Sequence, residues 1–226
     1  MPNQEVGRYL DLLKRRLSTS TITGDEFQGF LEVYRQHISN PMLNLDTFRF
    51  ETMPGVCRSR DPKYLKRNEL IQLVKWMYSA GHRLVTRSHR RIPVAAEFNA
   101  AGLKRNRPEK VVGVTDEAFK IYAKDKNIPK AINCLMQLRG VGLTTATLIL
   151  STAYSDDIPF FSDALCNWVD PHNSRKDVTG YMKLVRTVDA VKRRVKSSLS
   201  RRRRITALDV EKVAFVVATS RCMRGI

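Results

Sequence analysis

Leu135-Met-Gln-Leu-Arg-Gly140-Val-Gly142-Leu-Thr-Thr-Ala-Thr-Leu-Ile149 decides how the rest of the chain is read. Leu135, Leu138, Val141, Ala146 and Ile149 form an apolar frame, and Gly140 and Gly142 flank Val141. The spacing predicts a helix, a tight turn on two glycines and a second helix. Gly140 can take a backbone angle that a residue with a Cβ avoids. Gly142 allows another backbone or a phosphate to come close. The second helix then opens with amide N–H groups that have no partner inside it. With the positive end of the helix dipole they form an anion site. A helix corner with a glycine C-cap would use the same glycines for packing alone.

The pattern resembles the helix-hairpin-helix motif of DNA-binding proteins, over about 128–154. The resemblance continues downstream into Ile158-Pro-Phe-Phe-Ser-Asp163-Ala-Leu-Cys-Asn-Trp-Val169. In the helix-hairpin-helix DNA glycosylases, the superfamily that includes endonuclease III, the hairpin leads to an apolar-Pro-apolar stretch. A catalytic Asp follows, opening another helix. Asp163 stands at the matching place, 19 positions after Thr144. Bifunctional members carry a Schiff-base lysine where this chain has Thr144, so the resemblance implies a monofunctional enzyme. It also implies an all-α fold of two lobes with the active site between them.

Carried over residue by residue, the resemblance assigns catalysis to Asp163. Its carboxylate would stabilise positive charge on the sugar and orient a water as the N-glycosidic bond breaks. The base must first leave the stack. Arg139, Gly140, Val141, Gly142, Thr144 and Thr145 would hold a phosphate beside the lesion. Phe160, Phe161, Trp168 and Tyr154 are the aromatic candidates for a base pocket, although aromatics are more often core. Ser162 and Asp163 are also both good helix N-caps, which would account for an Asp there without catalysis.

The whole chain bounds these readings. Its 226 residues suit one unit, 1–226, with possible lobes at 1–113 and 114–226. Its helical runs, counted at ordinary lengths, make that unit all-α with about eight to ten helices. Lys and Arg number 40 against 22 Asp and Glu, a net charge of +18, which favours a polyanionic partner. A ribosomal or chromatin role would share that charge. Cys57, Cys134, Cys166 and Cys222 stand singly, which argues for a reducing compartment and against zinc. They also depart from the close C-terminal cysteine spacing of the cluster-binding glycosylases, so no iron–sulfur cluster, metal or other cofactor is expected. No apolar run approaches the roughly 18 residues of a membrane span. The N-terminus lacks signal-peptide architecture. The expected partner is double-stranded DNA, with no membrane. The expected location is the nucleus in a eukaryote, otherwise the cytoplasm, and not outside the cell.

Along the chain, Val6, Tyr9, Leu10, Leu13 and Leu17 predict a first helix, and Thr23 with Glu26 reads as a capping box opening a second. Residues 41–66 read as a loop with short structured pieces. Residues 67–80 read as a helix burying Leu70, Leu73, Val74 and Met77, with Trp76 and Tyr78 at its flanks. A basic loop follows, in which Arg83, Arg87, Arg90 and Arg91 suit phosphate contacts. Residues 94–113 read as a flexible connection. Asp116 and Glu117 read as a helix start, followed by Phe119, Ile121, Tyr122 and Ala123. Pro129 suits the first turn of the first hairpin helix. A long amphipathic helix is predicted over 178–199. Arg201, Arg202, Arg203 and Arg204 then form a basic turn that suits DNA or a solvated surface. Thr206 and Asp209 read as a second capping box before a closing helix that buries Leu208, Val213 and Val217.

Two further classes stand beside the enzyme. One is a non-catalytic helix-hairpin-helix DNA-binding protein, or a subunit tethering a larger complex to DNA. The Ser162–Trp168 segment favours it, because it lacks the Thr-His that often follows the Asp in the enzymes. The other is an RNA-binding accessory protein, for which no RNA-recognition aromatic motif is visible.

Overall fold

A computed structural model describes residues 18–79, 101–170, 175–199 and 203–222. The predicted first helix, the 83–91 basic loop, Arg201 and Arg202 lie outside the described residues. Among those described, the chain forms ten α-helices and no strand. They are α1 (Gly24–Glu32), α2 (Leu43–Thr47), α3 (Met53–Ser59), α4 (Arg67–Ser79), α5 (Pro108–Asp125), α6 (Ile128–Leu135), α7 (Leu143–Ala153), α8 (Asp163–Val169), α9 (Val178–Ser198) and α10 (Ala207–Cys222). The fold is all-α.

The helix ends follow local chemistry. Thr23 accepts from the Glu26 amide while the Glu26 carboxylate accepts from the Thr23 amide, so the capping box at α1 is complete. The same reciprocal pair joins Thr206 and Asp209 at α10. Asn127 caps α6 through the Lys130 amide, with Pro129 in the first turn. These side chains satisfy amides that a helix start leaves open.

Two segments are more ordered than the sequence suggests. Residues 41–66 are not mainly loop, since α2, a π-helical turn at Phe48–Thr52 and α3 run nearly without interruption. Pro41 sits in the first turn of a short helical piece, where a missing amide hydrogen costs nothing, and Pro54 stands at the join of the π-helical turn and α3. Residues 101–113 are likewise not a flexible connection. A helical piece covers 101–104, and α5 starts at Pro108 and runs through Gly113. Asp116 and Glu117 therefore lie within α5, where Asp116 pairs with Lys120 at 2.7 Å.

One continuous apolar core runs through the described helices. It is centred on α10, which buries Val210, Val213, Ala214, Phe215, Val216 and Val217 on nearly all sides, while Leu208 is only partly buried. A helix buried all round carries no narrow apolar stripe. Trp76 is fully buried rather than flanking, and Ala123 is exposed. Trp76 stands edge-on to Phe50 and 5.8 Å from Phe160, and its indole N–H donates to Asp46 at 3.2 Å. The Tyr34 hydroxyl donates to the same carboxylate oxygen at 2.8 Å.

A charged pair lies inside this core. Arg49, in the π-helical turn, donates to Ser151 Oγ of α7 at 2.6 Å and faces Glu211 of α10 at 3.6 Å. Its guanidinium stacks over the Phe50 and Trp76 rings. Burial pushes the Glu211 carboxyl up and the Arg49 guanidinium down, and each opposes the shift of the other. The pair joins three elements behind the wall that carries Phe160.

Candidate functional site

The turn between α6 and α7 holds the two glycines. Gly140 stands at φ 76°, in the left-handed region that favours glycine. Gly142 is extended and precedes α7 without a side-chain cap. A Cβ built on Gly142 would meet no atom within 4 Å, so the space beside it is open. The first hydrogen bond of α7 runs from Ala146 N to Gly142 O, which leaves the amides ahead of Ala146 at the helix mouth. Arg139, Gly140, Gly142 and Thr144 are exposed, whereas Val141 and Thr145 are buried.

The turn is held from behind. Asn106, 3% exposed, donates from Nδ2 to the Arg139 carbonyl at 2.9 Å and accepts at Oδ1 from the Arg139 amide at 3.0 Å. Gly102 rests against Gly140, where an added Cβ would come within 3.2 Å of the Gly140 Cα. Arg67 of α4 donates to the Asn106 carbonyl at 3.2 Å. Sequence reading missed Asn106, because its bonds to Arg139 reach backbone atoms 33 positions away.

In front of the turn lies a cavity of about 300 Å³, at the small end of ligand sites. Gly140, Gly142, Leu143, Thr144 and Thr145 form one side. Phe160, Phe161, Ser162, Asp163 and Cys166 form another, and Met77, Tyr78 and Lys176 complete it. Two stretches that are apart in the sequence, 140–145 and 160–163, share one hollow. Phe160 and Phe161 line it. Trp168 is buried outside it, and Tyr154 does not reach it and instead donates to the Phe119 carbonyl at 2.8 Å. Met77, Tyr78, Leu143, Ser162, Cys166 and Lys176 also line it and were not among the site residues expected from the sequence.

The segment that carries Asp163 is pinned to its neighbours. The Tyr181 hydroxyl donates to the Pro159 carbonyl at 2.7 Å. Thr147 accepts from the Phe161 amide at 3.2 Å and donates to the Thr144 carbonyl at 2.9 Å, which ties this wall to the start of α7. Ser162 supplies the cap of α8 through the Leu165 amide at 3.1 Å. Asp163 is the first helical residue, so its carboxylate is not the cap.

Asp163 is about one-third exposed and receives a hydrogen bond from Lys176 Nζ at 2.9 Å. Lys176 reaches the site because α9 begins close by. Asp177 caps α9 through Gly180 N, and a Cβ on Gly180 would collide with the Arg175 carbonyl. Cys166 also lines the cavity, but burial, reinforced by Asp163, pushes its thiol up to about 12. It therefore stays protonated and is a poor nucleophile near neutral pH. Thr144, exposed at the mouth of α7, has no amine to offer a carbonyl carbon.

Two of the predicted basic contacts make internal bonds. Arg203 donates to Gln28 Oε1 at 3.0 Å and pairs with Asp209 at 3.2 Å. Arg204 pairs with Asp156 at 3.1 Å. No group of three or more potential metal ligands occurs among the described residues, and no helix there is long and apolar enough to cross a membrane. Comparison with protein-family models, curated proteins and solved structures returns no match to this chain.

Proposed function

We propose that the chain is a DNA-binding protein resembling a monofunctional DNA glycosylase, which excises a damaged or mismatched base from double-stranded DNA. One observation carries the reading: Gly140, Gly142, Thr144 and Asp163 line a single cavity. In this reading α6, the two-glycine turn and α7 form a helix-hairpin-helix element within a two-lobe, glycosylase-like fold. The amides at the α7 mouth bind a phosphate next to the lesion, aided by the helix dipole. The extruded base enters between Tyr78, Phe160 and Phe161, where aromatic faces replace the stacking lost from the duplex. Asp163 faces the sugar and stabilises its cationic transition state.

No lysine stands at 144, which supports glycosylase action without a lyase step at that residue. The net charge of +18 supports a long-range attraction to DNA. One observation favours the second reading, a non-catalytic DNA-binding or DNA-tethering protein. Lys176 already engages Asp163, and a cation there opposes the positive charge that the carboxylate would stabilise.

The test uses wild type and Asp163→Asn on duplexes carrying uracil, thymine opposite guanine, 8-oxoguanine or alkylated purines, with hot alkali to reveal abasic sites. Scission by wild type alone supports the enzyme and assigns Asp163. Binding by both proteins without scission of any of these duplexes rejects the enzyme for these lesions and leaves the binding protein.

A further inference from the structure

We infer that Lys104, Arg105, Arg107 and Lys110 form, with Arg139, a phosphate-binding ridge continuous with the two-glycine turn, and that it takes the backbone of duplex DNA. The inference rests on the DNA-binding reading above and adds a surface to it. Four cations fall within the seven residues 104–110, with Glu109 the one acidic residue. All four, and Arg139, are exposed. Among the described residues none of the five has an acidic partner within ion-pair distance. Cations elsewhere commonly do: Arg60 with Glu69, Lys183 with Asp170, Arg203 with Asp209 and Arg204 with Asp156.

Charge alone would describe a solvated surface. What distinguishes this run is its attachment. Asn106, in the middle of it, holds both backbone polar groups of Arg139, and Gly102 rests on Gly140. Arg67 grips the 104–106 turn from the other side through the Lys104 and Asn106 carbonyls. The backbone that carries the cations at 104–107 is therefore held beside the amides at the mouth of α7. A segment whose backbone is already held loses less freedom on binding than a mobile one. A duplex offers a dense, regular line of phosphates, so a strand seated on the α7 amides can continue along the ridge. Contacts of this kind position the protein and read no base.

The test compares full-length wild type with Lys104→Gln/Arg105→Gln/Arg107→Gln. A control of equal charge change, Arg186→Gln/Arg193→Gln/Lys196→Gln on α9, separates local contact from general electrostatics. Binding to a fluorescent DNA duplex is measured over a range of salt. Each lost phosphate contact lowers the slope of log affinity against log salt by about 0.9, so the ridge triple loses about 2.7 and the control loses less than 1. Equal losses for the two triples overturn the ridge and leave the DNA-binding reading intact. A slope loss seen with an RNA duplex but not with DNA also overturns it. If wild type binds no duplex, the DNA-binding reading falls and the ridge with it. Should thermal unfolding show the triple to be misfolded, Arg105→Gln alone carries the test, with an expected loss of about 0.9.

Discussion

Gly140 and Gly142 flank a single residue and lack a side chain for different reasons. Gly140 needs its freedom for the backbone, at φ 76°, whereas Gly142 is extended and has open space where a Cβ would go. Alanine therefore separates folding from binding. Gly140→Ala should destabilise the fold by about 1–2 kcal/mol, the usual cost of a left-handed residue with a Cβ. Gly142→Ala should leave the melting temperature unchanged or slightly raised, since Ala fits the native angles and restricts the unfolded chain. Its effect should appear on DNA, as weaker binding at every salt concentration, because the added methyl occupies the approach to the α7 amides. Thermal unfolding and duplex titration of both variants check the pair. Normal DNA affinity for Gly142→Ala would falsify the proposed phosphate site.

Asn106 should behave as a structural pin with a functional readout. Replacing it by Ala leaves the Arg139 amide and carbonyl without their buried partner, at a cost of about 1–3 kcal/mol. The melting temperature should fall by roughly 2–4 °C per kcal/mol for a chain of this size. Asn106→Asp keeps the acceptor for the Arg139 amide but sets an oxygen against the Arg139 carbonyl. It should be no better than Ala at neutral pH. A melting temperature equal to wild type for both variants would remove Asn106 from this role.

What the sequence disclosed follows the range of the forces involved. Both capping boxes, Pro129 in its first turn and the long α9 depend on residues three or four apart, and all are present. The span 41–66 misleads because Pro41 and Pro54 look like breakers, although one opens a short helical piece and the other stands where the π-helical turn passes into α3. The wall at Phe160 and Phe161 was readable as a downstream motif, but its pairing with Met77, Tyr78 and Lys176 is purely tertiary. Lys176 carried no local pattern, since its position depends on the close approach at Gly180. Arg49, in the span read as a loop, and Glu211 carry no local sign of burial in the sequence, and only packing reveals that both are buried.

That buried pair gives an asymmetric prediction. Removing one partner strands the other charge in the core, so Arg49→Met or Glu211→Leu alone should cost about 3–5 kcal/mol. Replacing both removes the unpaired charge, and Arg49→Met/Glu211→Leu should recover most of the loss, because a buried ion pair is often no better than apolar residues of similar size. Urea unfolding of the two single variants and the double gives the coupling directly. Additive losses would show that the two side chains do not act as a pair.

His37 should make stability depend on pH in a defined direction. Its Nδ1 lies 2.8 Å from Thr219 Oγ1 of α10, and burial lowers its pKa from the ordinary value. The unfolded chain then binds the proton more readily than the fold does. Between the folded and unfolded pKa values the unfolded state holds more protons, so stability rises with pH through that window. The full contribution is present above the unfolded value, near 6.5, and is lost as pH falls toward the folded value. His37→Gln keeps a polar group near Thr219 but does not titrate. Melting temperatures from pH 7.5 down to pH 5 should therefore fall less steeply for His37→Gln than for wild type, whose other titrating groups are common to both. Parallel curves for the two proteins would show that His37 is as easily protonated in the fold as in the unfolded chain.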